Sequence, residues 1–588
     1  IDFIFPPAGE AGSTNTYTLF GRNLSGSQLS DTVSLDGKQL ERLQVEITLP
    51  KAASTPQGFH PGEPRQGLLR GFDYLIDNSN AVRLGFSTAP VASEDLTLDL
   101  QRVDVPCELA ARFDQANDED VYRFLAKNGK TYCVETVADR MMSRVDTYLV
   151  IHKVTKADDG TETLTQVADN DDMTSFFHVD GKGSINPDTT DSSVVFTADH
   201  DGEYQVTVVN QFGSGSPASI YRLAIREPVP DFDLLATFER PLPTNRTGYS
   251  QTPTLRQGAT VGVLINVPRQ DEFAGDIVIT AEDLPPGVTA NPLVLSGKTD
   301  RGMLVLTAAA DAASWAGDIR VVGRAMVGDH ELVREARFAA LVWGHIFADS
   351  IRVRSRLTQR VPLGVIGAEE ASVSLQTTDD KELTVEIGQK LEVPVKVTDN
   401  GTRAGTLTVE PHGLFGMHRG FPTVNIAQDA SEGTLSINFT KNGNFDVQPG
   451  RYQFVLHGTG VTKYACNTAA VARTEAEVAR INQLIESLKS AAAKERTVAD
   501  AAKASLEGSR KDLAAATAES RSELEASVKI EEAGLEAATK KAQAAAEKVT
   551  KAEAAKVTIE AALQTAKQAA TEKNTSFAVW SDQITVNV

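Results

Sequence analysis

The chain has 588 residues, and its 58 Lys+Arg against 79 Asp+Glu give a formal net charge of −21. That length exceeds what one hydrophobic core supports and calls for about four domains. The acidic balance argues against nucleic acid or an anionic membrane surface as the main partner, because phosphate binding needs a basic face, and no apolar run is long enough to cross a bilayer as a helix.

The chain opens at Ile1 inside an apolar strand-like stretch (Phe3, Ile4, Phe5) and is read as a mature or trimmed product whose export signal is gone. Residues 1–102 show short alternating runs, such as 16–20 and 43–49, separated by Gly, Ser, Asn and Asp, which is a β pattern. Residues 53–67, rich in Pro and Gly, are expected to form an irregular loop. The opening Phe5-Pro6-Pro7-Ala8-Gly9, then Gly12-Ser13-Thr14 and Phe20-Gly21-Arg22-Asn23-Leu24, resembles the start of a TIG-type immunoglobulin-like domain.

Between 103 and 227 stand Phe113-Asp114, Asp118-Glu119-Asp120-Val121-Tyr122-Arg123-Phe124, Gly129, Val145-Asp146-Thr147-Tyr148-Leu149, Ala168-Asp169-Asn170-Asp171-Asp172 and, after Phe196, Gly202-Glu203-Tyr204-Gln205-Val206-Thr207-Val208. This order resembles the bacterial pre-peptidase C-terminal domain, a small β-sandwich found beside secreted hydrolases and in large exported proteins. Val121, Phe124, Val134, Tyr148, Val150, Val206 and Val208 are the expected interior residues. Asp114, Asp118, Asp120, Asp169, Asn170, Asp171 and Asp172 supply the hard oxygen donors that calcium takes, on loops that can meet at one edge of the sandwich. Solvated turn carboxylates are the alternative reading. Related sandwiches beside bacterial collagenases bind calcium through a Glu-x-Asn-Asp run; the corresponding stretch here reads Ala92-Ser93-Glu94-Asp95-Leu96 and departs from it. Cys107 and Cys133 fall in the same segment, and two readings stay open: a disulfide between them, or two small buried apolar residues. Cys466 is left over, either free or intermolecular.

Two immunoglobulin-like segments follow, 228–345 and 346–466 completed by 575–588. The first carries Leu284-Pro285-Pro286-Gly287-Val288, common in bacterial immunoglobulin-like repeats, and the second carries Leu391-Glu392-Val393-Pro394-Val395-Lys396-Val397. Tandem domains of one architecture build a spacer.

From 467 to 574 the composition changes to Ala, Glu, Lys, Ser and Thr, with no Pro, no aromatic residue and two Gly, a strong helix signal. Ile481, Ile485, Leu488, Leu506 and Leu513 step by heptads along one seam, with Glu495 as a gap, and Leu535, Val549 and Leu563 along a second. The expectation is an antiparallel coiled-coil hairpin inserted in the last β domain, reversing near 519–527, with arms of about 50 residues. Alanine at most seam positions lets the helices approach closely but buries little area, so the arm is expected either to contact another chain or to stand as a self-sufficient spacer.

No motif for catalysis emerges. The nine His (His60, His152, His178, His200, His330, His345, His412, His418 and His457) show no His-Glu-x-x-His spacing, and there is no Gly-x-Ser-x-Gly, phosphate-binding loop or Cys-x-x-Cys. The fold class expected is therefore mainly β: tandem sandwiches with a long helical hairpin. Across 1–460 the order of domains resembles large exported proteins of planctomycete-type bacteria, which implies a secreted, cell-surface or periplasmic place. The function expected is non-catalytic: a structural, adhesive or assembly protein that self-associates or docks to a protein partner through its hairpin, as a homo-oligomer or part of a larger surface assembly. It needs no cofactor beyond the calcium just described. An accessory portion of a secreted hydrolase or protease, and a calcium-dependent ligand-binding module, are the alternatives.

Overall fold

The computed structural model describes residues 1–34, 37–53, 63–173, 189–238, 246–247, 252–297, 299–345, 354–377, 382–400, 402–414, 422–440, 447–518 and 520–588. Two compact units result: residues 1–462 with 576–588, and residues 463–575. The first is β throughout, and the second holds the two long helices.

In the β unit, strands Phe3–Phe5, Thr14–Gly21, Gln39–Thr48 and Gln28–Val33 form one sheet, and Ala8–Glu10, Val82–Ser87 and Gly71–Tyr74 a second. Ile4, Tyr17, Leu19, Ile47, Leu49 and Leu84 fill the core of this first domain. Part of the expected loop 53–67 is ordered as a short 3-10 helix, Pro64–Leu68, with Pro64 at its first turn; residues 54–62 lie outside the described residues.

The next sandwich pairs two five-stranded sheets. One runs Ser193–Thr197, Thr131–Val137, Ile220–Arg226, Cys107–Arg112, Val91–Ser93, and the other Glu162–Asn170, Thr147–Lys156, Gly202–Asn210, Glu119–Ala126, Gln101–Arg102. Val91–Ser93 and Gln101–Arg102, which the sequence places in the first domain, join this sandwich as parallel edge strands. Phe124, Val134, Val206 and Val208 line the interior as expected, but Val121, Tyr148 and Val150 do not; Tyr122, Leu149 and Ile151 take those places. A strand alternates strictly, so Val121 and Phe124, three apart, cannot share a face, and a one-residue slip exchanges core for surface.

The third core gathers Phe232, Val263, Ile265, Ile277, Ile279, Leu304, Leu306, Ile319, Val321 and Phe338. Val361, Leu363 and Val365 belong to it as well, because strand Val361–Glu370 pairs with Trp315–Val327 and Thr254–Gln257. The expected boundary at 345/346 therefore falls inside this sheet system. The fourth core holds Leu391, Val393, Val395 and Val397, buried in the alternation read from the sequence, with Leu407, Val409, Phe454, Leu456, Ile584 and Val586. Strand Ile584–Asn587, after the helices, pairs with Arg451–Tyr464, before them, so the helical segment is an insertion in this sheet.

In the helical unit, α1 (Thr468–Ala514) and α2 (Arg521–Ala569) have 47 and 49 residues, about 70 Å each at 1.5 Å per residue. The chain turns between 515 and 520, slightly earlier than expected, with Glu519 outside the described residues. Ion pairs Lys567–Glu475 at 2.9 Å, Lys489–Glu553 at 3.0 Å and Arg510–Glu532 at 2.7 Å pair rising numbers with falling ones, the register of an antiparallel hairpin.

Candidate functional site

The acidic residues of the second sandwich do meet at one sheet edge. Asp118 precedes strand Glu119–Ala126, whose Glu119 pairs with Val209; Asn210 pairs with Thr147, just after Asp146; and Leu149 pairs with Asn170, just before Asp171. With strands about 4.8 Å apart, Asp118 and Asp171 stand roughly three spacings from one another, too far to share one cation. The expected set thus resolves into two groups at one edge.

The first group is built on Glu94, Asp114, Asp118 and Asp120. Asp120 is buried and accepts a hydrogen bond from Tyr221 Oη at 2.5 Å. Tyr122 Oη donates to Glu94 Oε1 at 2.7 Å and lies 3.0 Å from Tyr221 Oη, while the Arg112 amide donates to Glu94 Oε2 at 3.1 Å. Burial, then the charge of neighbouring Glu94, pushes Asp120 up to about 8, and burial raises Glu94 as well. Asp118 Oδ2 accepts from the Asp114 amide at 2.8 Å, and burial, followed by the Asp118 carboxyl, raises Asp114. In both pairs burial and like charge act against ionisation. Glu94 was not among the residues expected here; it stands in the stretch that departs from the collagenase run.

The second group is Asp146, Asp171 and Asp172, whose carboxylate oxygens lie within 4.8 Å of one another. Gln211 Nε2 donates to Asp171 Oδ2 at 2.9 Å. Asp169 and Asn170 do not join it. Asp169 accepts from Tyr148 Oη at 2.8 Å and Gln166 Nε2 at 2.9 Å, and Asn170 uses its amide on the Ser193 N–H at 2.9 Å and the Asp172 carbonyl at 3.2 Å.

Cys107 and Cys133 are free thiols. The disulfide reading is corrected by topology: both strands pair with Ile220–Arg226, which runs between them, so two spacings of about 4.8 Å put the Cα atoms beyond the ~7 Å a disulfide tolerates. Burial pushes the Cys107 thiol up to about 11 and raises Cys133 too, so both stay protonated and poor nucleophiles near neutral pH.

On the hairpin, Ile485 and Leu506 are buried and Ile481, Leu488, Leu513, Leu535, Val549 and Leu563 half-buried, so the predicted seam faces inward between α1 and α2. Val528, Ala538 and Ala552 complete it. Half-buried Glu495 fills the gap in the heptads. Seam residues therefore hold the hairpin together and are not available to a partner. Leu484 (47 % exposed), Val498 (56 %), Ile530 (73 %) and Val557 (67 %) face solvent instead, and the ion-pair register brings Leu484 and Val557 to one level.

No helix among the described residues is long and apolar enough to cross a membrane. No protein-family model matches the chain, and no curated protein matches it. Among solved structures, the chain is similar to the pre-peptidase C-terminal domain of a collagenase from Bacillus anthracis, at 15% identity over 22% of this chain and 99% of that domain, with a TM-score of 0.15. It is also similar to the calcium binding domain CBD12 of CALX1.1, at 13% identity over 40% of this chain and 86% of that one, with a TM-score of 0.13.

Proposed function

We propose that this chain is a non-catalytic exported protein of the cell surface or extracellular space, in which tandem β domains act as a spacer and the helical hairpin docks onto a second copy. The observation that carries this reading is the arm itself: helices of 47 and 49 residues whose seam is thin and mostly alanine, yet whose outer surface displays Leu484, Val498, Ile530 and Val557. Leu484 and Val557 stand at one level of the arm, where a second copy would bury apolar area that the hairpin's own seam does not. The neutral, buried thiols and the absence of any catalytic sequence motif support a binding role over chemistry. Changing Leu484, Ile530 and Val557 together to Glu tests it by sedimentation velocity. Association should weaken by at least about tenfold while helicity by circular dichroism is unchanged; unaltered association would reject the outer surface as the docking face.

A calcium-dependent module is the second reading, favoured by Asp146, Asp171 and Asp172, whose carboxylate oxygens lie within 4.8 Å of one another. Calcium takes six to eight oxygens, and these three carboxylates can supply part of that shell.

A further inference from the structure

Strands Leu407–His412 and Arg451–Tyr464 of the fourth sandwich run antiparallel, with Glu410 opposite His457 and His412 opposite Val455. Glu410, His412 and His457 consequently share one face of the sheet. Both imidazoles are buried, each with its residue 6% exposed. His412 Nε2 lies 3.6 Å and His457 Nδ1 3.7 Å from Glu410 Oε1, and one ligand atom from each of the three falls within 4.8 Å of the others. Ligand atoms on a tetrahedral ion with bonds of about 2.0–2.1 Å stand roughly 3.3 Å apart, so small rotations close the set.

Trp580 holds the rings in place. The His457 imidazole stacks on the indole at 4.3 Å with an interplanar angle of 28°, and His412 meets it edge-on at 5.4 Å. Trp580 is fixed in turn, because Thr260 Oγ1 donates to its carbonyl at 2.7 Å and lies 3.0 Å from its amide nitrogen, and its ring packs on Leu264, Met303, Val305 and Val455. Such a clamp pre-orients ligands before any ion arrives.

Both ring nitrogens of His457 are buried without a hydrogen-bond partner. Leaving such a group unsatisfied costs more than a typical hydrogen bond returns, and a coordinate bond to Nδ1 would satisfy the atom that faces Glu410. We propose that Glu410, His412 and His457 form a binding site for a divalent transition metal, with zinc the best fit. Two imidazoles and one carboxylate are the donor set of zinc and its borderline neighbours rather than of calcium or magnesium, which prefer oxygen alone. Three protein ligands leave a fourth position for water or an incoming group.

The test uses the full chain, stripped of metal with a chelator and titrated with Zn²⁺ by calorimetry and with Co²⁺ by visible absorption. Tight uptake of one ion and an intense four-coordinate Co²⁺ spectrum are expected. The His457→Phe variant keeps the stack on Trp580 and should lose the spectrum and weaken Zn²⁺ binding by about 100-fold, with Glu410→Gln weakening it by about tenfold. The absence of Zn²⁺ and Co²⁺ uptake by the parent chain would overturn the site, as would an unchanged Co²⁺ spectrum in folded His457→Phe. If circular dichroism shows that variant unfolded, His412→Gln is judged on the same spectrum and by the same criterion.

Discussion

Replacing Asp191 by Ala is expected to cost the second sandwich about 3–5 kcal/mol, the range for breaking a buried, hydrogen-bonded charge pair from one side. Asp191 is 0% exposed. Its carboxylate accepts the amides of Ala138 at 2.6 Å and Asp139 at 2.7 Å, and the Arg140 Nε at 2.5 Å. It therefore both closes the short 3-10 turn Asp139–Met141 and neutralises a buried guanidinium, which would be left with Glu135 at 2.7 Å as its remaining carboxylate. Asp191→Asn keeps the shape and part of the hydrogen bonding and should lose less. Because several cores are present, one global unfolding energy is not defined. The measurement is hydrogen exchange across strands Thr131–Val137 and Ile220–Arg226, where protection should fall by at least a hundredfold; a change under about tenfold would contradict the assignment.

The acidic edge leads to a second large effect. Asp120 is held at about 8 in the folded chain, against about 3.9 when unfolded. Its folded value is raised, so the native state binds the extra proton across that window, and the associated stability is fully present below about pH 4 and lost as pH rises through about 8. With nearly one extra proton bound in the native state across this range, the loss should be on the order of 3–4 kcal/mol between pH 5 and 8. Scanning calorimetry without calcium should show the transition of this sandwich falling over that range in the parent chain and nearly flat in Asp120→Asn. A slope that survives in Asp120→Asn would assign it to other groups.

Much of the fold was legible because its signals are local. Alternation at Leu391, Val393, Val395 and Val397 marks a strand with one buried face, and the Pro-free, Ala-rich run from 467 to 574 marks helices whose inward positions follow from heptad spacing. What failed depends on register or on distant pairing. Val121, Tyr148 and Val150 were one residue out of phase, which periodicity in a nearly continuous apolar run cannot settle, and a bulge between Ile151 and His152 changes the pairing register within one strand. Strand Val361–Glu370 joins a core whose other members reach back to Phe232, more than a hundred residues upstream, so no local break announces the boundary. The site was legible in kind but not in grouping. Composition pointed to carboxylates, yet only the strand order separates Asp118 and Asp120 from Asp171 and Asp172, and only the packing of one sheet on the other brings Glu94 to Asp120. His412 and His457 meet only through pairing of strands 45 positions apart, beyond any short-motif search.

The central claim, that the hairpin assembles copies of this chain, is tested most directly by light scattering on the intact chain and on one with residues 467–574 replaced by a short Gly/Ser linker. Because strands Arg451–Tyr464 and Ile584–Asn587 pair across the insertion, the trimmed chain keeps its fourth sandwich. A multimer is expected for the intact chain and a monomer of the trimmed mass without the arm. Two monomers, or two multimers of the same order, would contradict it.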